Sequence, residues 1–300
     1  METKTETQRQ SLYAEVTARV IAELEEGRLP WVCPWDRAAC ECGMPRNAMT
    51  GRAYSGINVL ILWGAVVHGG FGSQRWLTYR QALTAGGNVR QGEKGVAVCY
   101  ADRFTPPDEQ QHASDEQREA RQIAFLKRFT VFNIDQCEGL PGSFATAAAV
   151  REEAMVPHAE ALIRASGADF RVGGDQAFYA PLFDFVQVPP RHAFADEINF
   201  YRTALHELGH WTGHESRLGR DQSGQHGSPD YAREELVAEM ASAFICASLA
   251  IRPTVRHSDY IGAWLDVLRG DERAIFRAAS QASKAADYLL AFASDEEVRS

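Results

Sequence analysis

Apolar residues recur every third or fourth position along some stretches of the chain and alternate along others, and this rhythm divides the sequence before any motif is considered. Leu12, Val16, Val20 and Leu24 stand four apart, which predicts an amphipathic helix over 7–27, stopped by Gly27 and Pro30. From Trp31 to about Asn58 the periodicity is lost, and Pro34, Gly43, Pro45, Gly51 and Gly56 among scattered aromatics predict loops. Residues 56–67 read as a short buried helix and 75–83 as another, while 96–104 and 129–134, rich in Val and Phe, read as strands. The polar, acidic, proline-led segment 105–122 cannot bury enough apolar surface to offset its ordering entropy, so a mobile excursion is expected there.

A new pattern begins after the small residues of PGSFATAAAV (141–150). It predicts a helix at 151–166, short strands at 169–172, 177–180 and 184–188, and a long helix opened by Asp196 as its cap. Further helices follow at 231–251, 259–269 and 272–292, with Pro229 and Pro253 as breaks. The expected architecture is α+β in two domains: a small α+β module over 1–145, then a small antiparallel sheet beside a helical bundle over 146–300.

Composition narrows the class. With 300 residues, 45% of them hydrophobic, the chain can fill a substantial core. The longest apolar run, 59–67, is less than half of the roughly 20 residues a membrane span needs, and METKTETQRQ lacks an apolar leader core, so no membrane association or secretion is expected. Cysteines at 33, 40, 42, 99, 137 and 246 fit no dense disulfide framework, and Cys40-x-Cys42 is too tight for usual zinc spacing; reduced thiols and a cytoplasmic location follow. The net charge of −9 excludes a surface that coats nucleic acid all round. Between 37 and 104, however, eight Arg and Lys stand against three acidic residues, a local +5.

The most specific string is His206-Glu207-Leu208-Gly209-His210, an HExxH motif in a predicted helix. Four residues apart, the two imidazoles project from one face and reach a single ion. Glu207 beside them is placed as the general base that takes a proton from water activated by that ion. A third ligand is needed. Position 216 is Ser, which excludes the metzincin arrangement. The downstream helix carries Glu235 and, four residues later, Glu239, which suits a third ligand and a carboxylate orienting an imidazole. Glu234, about 100° round that helix, and Glu239 itself remain rival ligands. Zinc is the expected cofactor, with Mn2+ or another first-row divalent ion as the alternative. His214 follows Gly213, where the helix is expected to end, so a loop role suits it better than ligation. His257 and Tyr260, at a helix start, suit either oxyanion donation or ordinary capping. Asp184–Val188 is a candidate edge strand for holding a substrate backbone, or simply a cover for the helix.

In the first half, cationic and aromatic side chains interleave, the composition that tracks a phosphate backbone and stacks on unpaired bases. Candidate contacts to single-stranded DNA are Trp31, Trp35, Arg46, Arg52, Tyr54, Asn58, Arg75, Trp76, Tyr79, Arg90, Lys94 and Arg103. Against this, Trp63 lies in an apolar run and reads as core, one of Trp76 and Tyr79 is expected to face inward, and Asn58 suits a turn donor equally well.

Trp31-x-x-Pro34-Trp35, PRNAMTGRAYSGIN (45–58), RWLTYRQA (75–82), GGNVRQGEKG (86–95) and FNIDQCEGLP (132–141) together resemble the N-terminal domain of ArdC-type antirestriction proteins, a domain similar to one in TraC-type primases. TALHELGHWTGHESRL and YAREELVAEMASAFIC resemble the zincin-like metallopeptidase domain that follows it in that family. The resemblance implies a cytoplasmic protein of a plasmid or mobile element that binds single-stranded DNA and helps entering DNA escape restriction during conjugation. It also implies a DNA-linked peptidase acting on a protein substrate of unknown identity.

Overall fold

The computed structural model describes residues 11–32, 42–104, 123–144, 156–252 and 260–299. Helix α1 (Leu12–Glu25) starts where Ser11 Oγ accepts the Ala14 amide, and it buries Val16, Val20 and Leu24. There follow β1 (Arg46–Asn47), α2 (Ile57–Gly69), β2 (Arg75–Leu77), α3 (Tyr79–Thr84), β3 (Asn88–Val89), β4 (Val96–Phe104), β5 (Ile123–Asn133) and β6 (Cys137–Glu138). The main sheet has the order β1-β2-β5-β4, and β3 pairs with β6 beside it.

Two elements differ from the pattern-based expectation. Residues 75–83 are not one helix: Trp76 and Leu77 are both buried and pair with Asn133 and Phe132 of β5. The helix begins only at Tyr79, where Thr78 and Gln81 form a reciprocal capping box. Strand β5 starts at Ile123 rather than near 129, because it pairs with β4 along the whole of that strand. The expected excursion at 105–122 lies outside the described residues, as does the start of the helix expected from 151.

The second half comprises α4 (Val156–Ala165), β7 (Asp169–Val172), β8 (Phe178–Ala180), β9 (Phe185–Val188), α5 (Glu197–Trp211), α6 (Pro229–Ser248), α7 (Ile261–Gly270) and α8 (Ala274–Arg299). Its sheet has the order β7-β9-β8, with β7 parallel and β8 antiparallel to β9, so it is mixed rather than antiparallel. Strand β9 is therefore central. Both of its edges are occupied, which removes 184–188 as an edge for substrate addition. Asp196 does stand at the cap of α5, but its side chain makes no capping hydrogen bond.

The two domains meet along a packed apolar seam. Trp31 and Trp264 lie edge to face at 5.3 Å between centroids, and Trp63 meets Phe244 at 5.7 Å. One cluster of buried side chains runs from Val16, Val20 and Leu60 through Leu236 and Met240 to Ala282 and Leu289. The Gly56 amide also donates to Ser283 Oγ at 2.8 Å across the seam. Among the described residues, no helix is long and apolar enough to cross a membrane.

Candidate functional site

Helices α5 and α6 build the site by approaching closely. A Cβ on Gly209 would lie in ordinary contact with α6, 3.4 Å from the carbonyl oxygen of Ala238, so the two helices pack side by side here. This turns His206 and His210 of α5 toward Glu235 of α6. His206 Nε2 lies 3.6 Å from Glu235 Oε2, and His210 Nε2 lies 3.4 Å from Glu235 Oε1. One ligand atom from each of the three residues falls within 4.8 Å of the others. All three are buried or nearly so, and Glu207, next to His206 in the helix, is buried as well.

Two imidazole nitrogens and one carboxylate oxygen facing a common point are a donor set suited to a divalent first-row ion. The electrostatics agree. Burial alone would raise the Glu235 carboxyl, but the His206 and His210 imidazoles reverse this and hold it well below the usual carboxylate range. Burial would likewise lower His210, yet Glu234 and Glu235 push it up to about 10. Without a metal, the centre thus draws in a proton, the smallest available cation.

Glu234 lies outside the converging set. It faces the other nitrogen of His210, with Oε1 3.2 Å from Nδ1. Burial raises its carboxyl, and His210 and Arg220 more than offset that, so it stays ionised. Arg220 grips it bidentately, donating from Nε to Oε2 at 2.9 Å and from Nη2 to Oε1 at 2.8 Å. The same guanidinium donates to Thr212 Oγ1 at 2.8 Å and to the Gly209 carbonyl at 2.7 Å. Gln222 Nε2 adds bonds to the His210 carbonyl at 2.7 Å and to Glu234 at 3.0 Å. Gly213 makes room for this clamp, since a Cβ there would lie 2.6 Å from Gln222 Nε2 and 2.8 Å from Arg220 Nη2. Glu239 faces His206 Nδ1 at 3.9 Å, longer than a hydrogen bond.

Arg220 and Gln222 carry no motif and were not legible in the sequence; the glycine at 213 was the one local sign of a crowded corner. Glu234→Gln is expected to weaken metal binding by about 10- to 100-fold, as loss of a carboxylate behind a ligating imidazole does. Chelator competition measures this, and an unchanged affinity removes the clamp from the metal site.

His214 bonds to Ser216 Oγ at 2.8 Å and stands apart from the ligand set. Tyr260 packs with His226 and Tyr231, its hydroxyl 3.3 Å from His226 Nδ1. His257 lies outside the described residues.

The structure reassigns several of the DNA-contact candidates. Trp31 and Trp76 are wholly buried, Trp31 against Trp264 and Trp76 against Phe71, so neither ring is free to stack on a base. Asn58 is a tie between α2 and β4: its amide donates to the Cys99 carbonyl and accepts the Cys99 amide, each at 2.7 Å. Tyr54 is half-buried, with a hydroxyl raised by burial against a weaker opposing bond to Asn47. Arg75 is half-buried and reaches the Ser143 carbonyl. Trp35 lies outside the described residues, and Arg103 is described only as a position on β4.

Arg46, Arg52, Tyr79, Arg90 and Lys94 are exposed. Arg46 and Arg52 flank a turn in which Asn47 Oδ1 accepts the amides of Met49 and Thr50. Asn47 also donates to Gln81 Oε1 at 3.1 Å, which fixes that turn against the helix bearing Tyr79. Arg90 is paired with Glu93 at 2.7 Å.

Comparison with known proteins adds the following. A family model described as a zincin-like metallopeptidase matches residues 157–281, and one described as the N-terminal domain of anti-restriction factor ArdC matches 10–132. The protein y4eC of Sinorhizobium fredii (strain NBRC 101917 / NGR234) is 38% identical over 296 residues, covering 95% of this chain and 94% of that protein. DNA primase TraC of Escherichia coli is 40% identical over 296 residues, and the match spans 93% of this chain but 27% of the primase. Among solved structures, the antirestriction protein ArdC of the R388 plasmid in metal-free form aligns with a TM-score of 0.80 at 38% identity, covering 95% of this chain and 99% of that one. Its Mn(II)-bound form aligns with a TM-score of 0.79.

Proposed function

The chain belongs to the ArdC family of antirestriction proteins, with a zincin-like second domain, and we propose that it is a metal-dependent peptidase borne on a DNA-binding module. In this reading it acts in the cytoplasm, protects entering plasmid DNA from restriction and binds that DNA as single strands. The observation that carries the peptidase is the convergence of His206, His210 and Glu235, with the buried Glu207 next to His206 on the same helix.

These three residues would hold zinc, or Mn2+ as in the ArdC relative. When bound, such an ion supplies Lewis acidity toward a carbonyl oxygen and makes water more acidic. Glu207 accepts the proton of the attacking water and returns it to the leaving amine. Glu234 orients the His210 imidazole through Nδ1, and the Arg220 clamp keeps Glu234 ionised and directed at His210. For DNA, the exposed turn bearing Arg46 and Arg52 and the helix start at Tyr79 offer cationic and aromatic contacts on one side of the first domain.

The test is twofold. Chelator-stripped protein titrated with Zn2+ or Mn2+ is expected to take up one ion, and to lose that site in His206→Ala; equal uptake by the variant removes the assignment. Fluorescent oligonucleotides are expected to bind more tightly as single strands than as duplex. The affinity should fall with salt at a slope of about −0.7 per phosphate neutralised. Equal affinity for both forms removes the stacking account.

A further inference from the structure

A cavity of about 650 Å3 opens where the two domains meet. The first domain supplies Tyr13, the turn before α2 and Tyr100 of β4; the second supplies Arg273, just before α8, and Arg277 and Ser280 of α8. Among its described lining residues, the charged ones are Arg273 and Arg277 and none is acidic. Both arginines are exposed: Arg273 immediately precedes α8 and Arg277 stands in its first turn, its amide bonded to the Arg273 carbonyl. Arg273 lies over the Tyr13 ring at 4.8 Å, and Arg277 is paired with Asp271 at the start of the helix.

The aromatic side of the cleft is unusual for a solvated sheet. Tyr100 is 56% exposed and Phe129 of β5 is 48% exposed, with their rings edge to face at 6.3 Å. An exposed Tyr100 ring in one cleft with two guanidinium groups, and an exposed Phe129 ring packed on it, match the composition of a surface on which bases stack while cations hold the backbone. The volume suits a group of about one or two nucleotides, within the ~300–1,000 Å3 range of sites for small organic ligands, and is too small for a base-paired stack.

We propose that this interdomain cleft is a binding site for single-stranded DNA, with Arg273 and Arg277 on the phosphates and Tyr100 and Phe129 against the bases. The proposal rests on the DNA-binding reading above and extends it: the strand is held by both domains, not by the first alone. Tyr100 lies within the 37–104 segment that the sequence pattern pointed to, whereas Arg273 and Arg277 lie outside it, in a half of the chain whose net charge is negative. The cleft shares Arg277 and Gln281 with a second cavity of about 380 Å3, whose wall includes Arg220 and Glu234. A strand seated there therefore lies along the helix that backs the metal centre.

The full-length, metal-loaded protein, titrated with a fluorescent oligo-dT at several salt concentrations, tests this. Arg273→Gln/Arg277→Gln is expected to lower affinity at least tenfold at low salt. It should also flatten the salt slope by about 1.4, the share of two phosphates. Arg273→Lys/Arg277→Lys should restore most of the binding, and Tyr100→Ala should weaken it without altering the slope. Arg46→Gln/Arg52→Gln, run in parallel, reports on the first domain's own surface, and melting temperatures verify that each variant is folded. If wild type binds and the glutamine pair binds with the same affinity and slope, the cleft is not the site and the DNA-binding reading stands. If wild type does not bind single strands at all, that reading fails and the cleft assignment falls with it.

Discussion

Glu207→Gln is expected to keep the fold and the metal and to lose peptidase turnover by about 10²- to 10⁴-fold, the share that a positioned general base contributes. The substitution is close to isosteric, so the packing of a side chain only 5% exposed is preserved. The carboxylate does not belong to the converging ligand set, so metal content should match wild type. Cleavage of an unstructured protein, with metal content measured by mass spectrometry, checks both halves. Turnover equal to wild type would remove Glu207 as the base. The same variant divides two accounts of protection: if it shields incoming DNA as well as wild type does, protection comes from binding and not from proteolysis.

Glu235→Ala should be the most damaging single change to metal binding. It removes the one oxygen donor of the set, and the loss should exceed the ~10- to 100-fold expected for a residue behind an imidazole, such as Glu234. A larger loss in Glu234→Ala than in Glu235→Ala would invert the ligand assignment. Proton linkage gives a second readout. In the metal-free protein His210 is raised to about 10, so it is charged at neutral pH, whereas ligation requires its neutral form. Metal uptake should therefore release a proton, and affinity should rise about tenfold per pH unit from neutrality toward pH 10. The metal-free fold runs the other way: stabilisation from charged His210 is complete below its unfolded value of about 6.5 and is lost as the pH rises through 10. Competition titrations across this range measure the slope, and a flat profile rules out a charged His210.

Much of the architecture was readable because its causes are local. The fourfold spacing of Leu12, Val16, Val20 and Leu24 gives one apolar stripe on any helix, and α1 buries Val16, Val20 and Leu24. The strand content at 75–77 was hidden because Trp76 and Leu77 fit either a helix or a strand over so short a run, and pairing with β5 decides between them. Likewise the order β7-β9-β8, which denies 184–188 an edge, depends on a parallel pairing that no local pattern encodes.

The aromatic residues show the same division. A tryptophan in a loop of basic composition suits a stacking platform and a core equally well, and Trp31 joined the core because Trp264, more than two hundred residues away, packs on it. The exposed ring of Tyr100, with Phe129 packed edge to face on it, shares a cleft with Arg273 and Arg277 only after the chain has folded back on itself.

By itself the sequence determined the two imidazoles on one face of α5, a glutamate next to the first of them and an acidic helix to follow, because helical geometry repeats within four residues. Only the tertiary structure shows which glutamate of α6 converges with the two imidazoles. Glu234 and Glu235 differ by about 100° around that helix, and the packing of α6 on α5 sets Glu235 toward both Nε2 atoms, leaving Glu234 to Arg220 and the Nδ1 side of His210. A rotation of one helix against another is set by long-range packing, and no stretch of sequence within either helix contains it.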